Sequence, residues 1–189
     1  MPAAGVSGRD LQDRMEVVKF AYELISARQF DTAEKVLTEE FGEVHGNSTS
    51  VEAYRYNVAC ALVDLGNESG RLHLVHMGLR EMERNRPTHV NPGSYFYNLG
   101  NAHAAVAKIK SVRFSPRGVR RRIKVKDLFW KAACEFGDET PATLVTNLGQ
   151  SLSDSAHPAF VWLISLADPK ARGVGSIRRA WSPGRIGHG

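Results

Sequence analysis

One short phrase recurs three times along this chain, and it restricts the fold more than any other feature. It reads Tyr56-Asn57-Val58-Ala59-Cys60-Ala61-Leu62, then Tyr97-Asn98-Leu99-Gly100-Asn101-Ala102-His103, then Thr146-Asn147-Leu148-Gly149-Gln150-Ser151-Leu152. In each copy a Val or Leu precedes a small residue (Ala59, Gly100 or Gly149). The large side chain can fill a core while the small one lets a second helix approach closely. A helix pair of this size cannot bury its apolar face alone. The expected solution is a stack of pairs that share cores.

The rest of the chain carries the periodicity this requires. Leu11, Met15, Val18, Tyr22 and Ile25 follow alternating steps of four and three, which predicts an amphipathic helix ending near Arg28-Gln29-Phe30. Asp31 with Glu34 reads as a capping box opening a helix through Ala33, Val36, Leu37 and Phe41, which stops before Gly46. Thr49 with Glu52 opens another, closed by Gly66-Asn67. Leu72, Val75, Leu79 and Met82 mark a fourth, ending before Pro87. Asn91-Pro92 and Thr140-Pro141 each read as a cap followed by proline at the first helical position. Val125, Phe129, Ala132 and Phe136 predict a helix between them, and a last helix is expected from about Pro158 to Ala167. No segment alternates as a strand would, so the expected class is all-α. The glycine-rich stretch from Pro169 to Gly189 reads as a disordered basic tail. The expected organisation is a helical repeat domain over 9–168 and a flexible tail over 169–189.

The phrase Asn-Leu-Gly-Asn-Ala at Asn98–Ala102 resembles the first helix of a tetratricopeptide repeat. Ala27-Arg28-Gln29-Phe30-Asp31-Thr32-Ala33 is similar to the turn and second-helix start of such a repeat, with Ala33 at the small inter-helix position. Ala167-Asp168-Pro169 resembles the usual end of a second helix. The likeness covers most of Met15 to Pro169 and implies stacked antiparallel helix pairs, an α-solenoid. Three departures stand out. The shared asparagines lie 41 and then 49 positions apart (Asn57, Asn98, Asn147), whereas regular repeats run at about 34. Arg71 falls where the pair beginning with Asn57 should carry a small residue. Lys108 to Ile123 reads as a basic insertion between the two helices of one pair.

Charge is distributed unevenly. Met1 to Ala107 holds ten Lys/Arg and fourteen Asp/Glu; Lys108 to Gly189 holds fifteen and six. The C-terminal half therefore attracts whatever acidic partner the chain has. No apolar run approaches the roughly 20 residues that span a bilayer, and no secretory signal is visible at the N-terminus. Cys60 and Cys134 both sit in apolar helical patterns and read as buried, reduced thiols. A cytoplasmic protein with no membrane association is the expectation.

The resemblance implies a concave groove lined by first helices. Its groove-facing positions would be Tyr56 and Cys60, Tyr97 and Asn101, and Thr146 and Gln150. Amide and aromatic side chains suit an extended peptide, because amides both donate and accept. The first reading is accordingly a scaffold binding a peptide or partner domain. No Lys or Arg occupies those positions, so a clamp for a peptide C-terminus is not expected. The alternative is a nucleic-acid-associated accessory protein, the regulatory part of an RNA- or DNA-processing system. It would use Arg113, Arg117, Arg120, Arg121, Arg122, Lys124 and Lys126 to neutralise phosphates. No zinc finger, RNA-recognition signature or helix-turn-helix accompanies them. Ser153, Asp154, Ser155 and His157 lie too close together for a triad, and His73 with His76 lacks a second ligand pair. No catalytic residue, metal or cofactor is expected.

Overall fold

A computed structural model describes residues 8–44, 48–84, 86–88, 90–110 and 116–155. Those residues form seven α-helices and one 3-10 turn, with no strand among them: α1 (Gly8–Ser26), α2 (Phe30–Glu43), α3 (Thr49–Ser69), α4 (Leu72–Arg84), α5 (Pro92–Ile109), α6 (Pro116–Phe136), the turn Gly137–Glu139, and α7 (Ala142–Ser155). The helix expected over 158–167 and the tail over 169–189 lie outside the described residues, as does the N-terminal segment 1–7.

Helix ends follow local chemistry, though not always at the expected residues. Asn91 caps α5 as anticipated: its Oδ1 accepts from the backbone N–H of Gly93 at 2.8 Å, and Pro92 opens the helix. At α3 the cap is Ser48 rather than Thr49, its hydroxyl accepting from Val51 N–H. The capping box expected at Asp31 does not form. Gln29 precedes α2 without a side-chain cap, and the Asp31 carboxylate binds Arg71 instead. The glycine that ends α3 is Gly70, in the left-handed region at φ +74°; Gly66 stays inside the helix. Thr140 serves the element before it, its hydroxyl donating to the Gly137 carbonyl at 2.6 Å.

The expected basic insertion is corrected. Lys108 and Ile109 belong to α5, and residues 116–123 are the first two turns of α6. The arginine run hid them, because only Val119 and Ile123 interrupt it with apolar character. Arginine is nevertheless a good helix former, and Val119 supplies a fully buried anchor.

Three apolar cores follow one another along the chain. The first joins Val18, Ala21 and Leu24 of α1, Ala33 and Leu37 of α2, and Tyr54, Val58, Leu62 and Leu65 of α3. In the second, Tyr56, Ala59 and Val63 from the opposite side of α3 meet Val75, Leu79 and Met82 of α4 and Tyr95, Leu99 and Val106 of α5. Val125, Phe129 and Ala132 of α6 and Leu144 and Leu148 of α7 form the third. α3 thus buries two faces, which is why its sequence is apolar nearly all round. Successive helices pack on one another, and α3 also packs on α1 and α5.

Small residues sit where the helices approach most closely. A Cβ added at Gly78 would lie 2.3 Å from the Ala59 carbonyl oxygen, so α4 crosses α3 backbone against side-chain-free backbone. At Gly100 it would lie 2.6 Å from the Phe129 ring. Gly149 was expected to play the same role; it is exposed, and no described residue comes within 4 Å of a Cβ there. Arg71, the apparent violation of the repeat, precedes α4 and pairs with Asp31 and Glu34 on α2. The small residue that α4 needs is Gly78, inside the helix.

Candidate binding cleft

The recurring asparagine performs one task three times. On α3, Asn57 Nδ2 donates to Met15 Sδ of α1 at 3.6 Å. On α5, Asn98 Nδ2 donates to the Tyr56 hydroxyl of α3 at 3.1 Å and approaches Cys60 Sγ at 3.6 Å. On α7, Asn147 Nδ2 donates to Asn101 Oδ1 of α5 at 3.5 Å. Each copy of the phrase is therefore tied to the helix two before its own: α3 to α1, α5 to α3 and α7 to α5. Only the middle link uses a strong acceptor at short range.

Residues of α3, α5, α6 and α7 line a cleft of about 920 Å³. Asp64 and Asn67 of α3, Tyr97, Asn101 and Lys108 of α5, Arg122 of α6, and Asn147, Gln150 and Ser151 of α7 contribute its polar rim; Val63, Val125 and Phe129 contribute its floor. Tyr97 is held by ring contact with Phe129, centroids 6.0 Å apart. Lys108 Nζ donates to Asn67 Oδ1 at 3.2 Å, which fixes both side chains at one end. The Tyr22 hydroxyl of α1 donates to Asp64 Oδ2 at 3.0 Å. Crowding by the surrounding helices holds the Asp64 carboxyl above its usual range although the residue keeps an exposed edge, with the Tyr22 bond opposing the effect and Glu68 adding to it.

Of the six groove positions read from sequence, Tyr97, Asn101 and Gln150 line the cleft. Tyr56 does not: it is 4% exposed and belongs to the second core. Cys60 is half-buried beside Asn98, and burial pushes its thiol up to about 12. Thr146 turns its hydroxyl to the Ala142 carbonyl and is no part of the rim. Asp64, Asn67, Asn147 and Ser151 were missed. The first two continue the Tyr56–Cys60 stripe by steps of four and three, so helical spacing alone could have found them.

The basic residues part company. Arg117, Arg121 and Lys124 share one side of α6 at helical spacing. Arg122 faces the cleft, and Lys126 lies on that flank with its Nζ 3.5 Å from Asp127. Lys124 pairs with Glu83 at 2.8 Å, Arg120 is exposed, and Arg113 lies outside the described residues. The seven do not make one face. Cys134, expected to be buried, is exposed on α6. His73 Nε2 contacts Glu34 Oε1 on α2 at 2.9 Å. No group of three or more potential metal ligands occurs among the described residues.

No protein-family model matches the chain, and no curated protein or solved structure gives a significant match. Among the described residues no helix is long and apolar enough to cross a membrane.

Proposed function

We propose that this chain is a protein-interaction module built from degenerate helix-pair repeats of the tetratricopeptide type, acting as a scaffold that holds an extended peptide of a partner protein. One observation carries the reading: amide side chains from α3, α5 and α7 (Asn67, Asn101, Asn147 and Gln150) converge on a single cleft. Amides can pair with both the N–H and C=O groups of a peptide backbone. Tyr97 adds an aromatic surface for a side chain, and Lys108 and Arg122 set against Asp64 favour a peptide with an acidic residue. The threefold asparagine tie supports the repeat assignment, since equivalent residues do equivalent work. The nucleic-acid alternative has less support, because the basic residues it needs divide between two sides of α6. Selection from a random peptide library on the folded protein tests the reading. Selected peptides should bind Asn101→Ala/Gln150→Ala at least about tenfold more weakly, a difference of about 1.4 kcal/mol. The double variant should lose no more than about 0.5 kcal/mol of stability, since the Asn147 bond it removes is a long one at 3.5 Å. Undiminished binding would place the peptide elsewhere.

A further inference from the structure

On the side of α5 away from the cleft, three helices each present a stripe at helical spacing. α4 carries His76, Arg80 and Glu83; α5 carries His103 and Lys110; α6 carries Arg117, Arg121 and Lys124. Two contacts fix their register. Glu83 Oε1 lies 2.8 Å from Lys124 Nζ and 3.3 Å from His103 Nε2. One to two turns away, His76 lies within electrostatic reach of Arg80, Lys110 and Arg121.

The two levels differ in kind. At the first, the Glu83 carboxylate offsets Lys124. At the second, no carboxylate lies within ion-pair distance of His76, Arg80, Lys110 or Arg121 among the described residues. Burial and those three cations hold His76 below its ordinary value. Arg80 uses its Nε on the His76 backbone carbonyl at 3.2 Å. Arg121 Nη1 is buried and has no hydrogen-bond partner among the described residues. At the first level, His103 is 4% exposed and neither ring nitrogen has a hydrogen-bond partner among the described residues, its approach to Glu83 being 3.3 Å. Buried donors of this kind are costly and seldom left unmade.

We propose that His76, Arg80, Lys110 and Arg121 form a binding site for a single phosphate group, at the junction of α4, α5 and α6. A guanidinium fork matches tetrahedral oxyanions, and the missing carboxylate is what a dianionic ligand would supply. The compactness of the site favours one phosphate over a polyanion backbone. The source is either a free phosphate ion or a phosphorylated side chain. The site lies across α5 from the peptide cleft and stands or falls separately from it.

Histidine-ring NMR at about pH 7.5, where free imidazoles are mostly neutral, tests the proposal. Inorganic phosphate is titrated against potassium chloride at equal ionic strength, with the His76 signal assigned from His76→Gln. The expected result is a saturable His76 shift specific to phosphate. Lys110→Gln and Arg121→Gln should each weaken it about tenfold, and Lys35→Gln, which removes one distant exposed charge, should not. Lys110 is exposed, so its variant keeps the test valid if Arg121→Gln fails to fold. A phosphoserine peptide that binds at least tenfold more tightly than phosphate and than its unphosphorylated form would assign the site to a phosphorylated side chain. Equal affinity would assign it to the free ion, and both support the site. A shift that does not saturate, or one weakened equally by Lys35→Gln, would overturn it. So would a short ribo-oligonucleotide bound more tightly than phosphate and weakened as much by Arg117→Gln and Arg120→Gln as by Lys110→Gln.

Discussion

Gly78 and Gly149 look alike in sequence, each a glycine within an apolar helical pattern, yet their surroundings are opposite. A side chain at Gly78 must displace the α3 backbone at Ala59, which cannot yield as a flexible side chain would. Gly78→Leu should therefore cost about 1–3 kcal/mol by urea unfolding. Gly149→Leu should stay within about 0.5 kcal/mol, because nothing described lies within 4 Å. Equal effects would mean that α3 and α4 do not cross as described. The asparagines form a graded set. Asn98→Ala loses a bond to the hydroxyl of the buried Tyr56 and should cost about 1 kcal/mol; Asn57→Ala, whose acceptor is a thioether, should cost less. The repeat of the asparagine was legible in sequence because it recurs within one phrase. Its acceptors were not, since Met15, Tyr56 and Asn101 share no letter and are brought opposite it only by helix packing.

Among the elements, α3 and α4 are fastened by more than apolar contact. Arg55 donates from Nε to Glu81 Oε1 at 2.7 Å and from Nη2 to Oε2 at 3.0 Å, and from Nη1 to the Val44 carbonyl beyond α2. Its guanidinium also stacks 5.1 Å above the Phe41 ring. One side chain thus joins α2, α3 and α4. Glu81 is only 5% exposed, so Glu81→Ala leaves Arg55 without a counter-charge in a poorly solvated place. A loss of about 3–5 kcal/mol is expected from equilibrium unfolding, and a double change to well-packed apolar residues should recover most of it. Helix existence was legible wherever apolar periodicity was clean, as in α1, α4 and α5. It failed at the start of α6, where guanidinium groups occupy the half-buried positions that apolar residues would normally mark. Cap residues slipped by one at Ser48 and Thr49, because adjacent hydroxyls offer the same chemistry and only backbone geometry selects between them.

At the level of the whole molecule, successive cores make stability depend on contacts between neighbouring helices, and ionisation of a group buried among them should show in the melting curve. His103 is held down to about 4, first by burial and then by Lys124 and Arg121, with Glu83 acting against them. In the unfolded chain the imidazole titrates near 6.5. Between those values the unfolded state binds the proton and the folded state does not. Stability should therefore fall as pH drops from about 6.5 toward 4, and His76, shifted the same way, should add to the slope. Thermal melts across that window should show the loss, and His103→Gln should flatten it. An unchanged slope would mean that His103 is solvated or bonded in the native state. The cleft itself was half legible: Tyr97, Asn101 and Gln150 follow from the repeat, whereas Asn147 faces the cleft while also bonding to Asn101. Side-chain amide NMR of the protein with a library-selected peptide tests the central claim most directly. The NH2 signals of Asn67, Asn101, Asn147 and Gln150 should shift together and saturate at one concentration, with the His76 ring unmoved. Shifts confined to residues outside the cleft, or amides that stay still while the peptide binds, would contradict it.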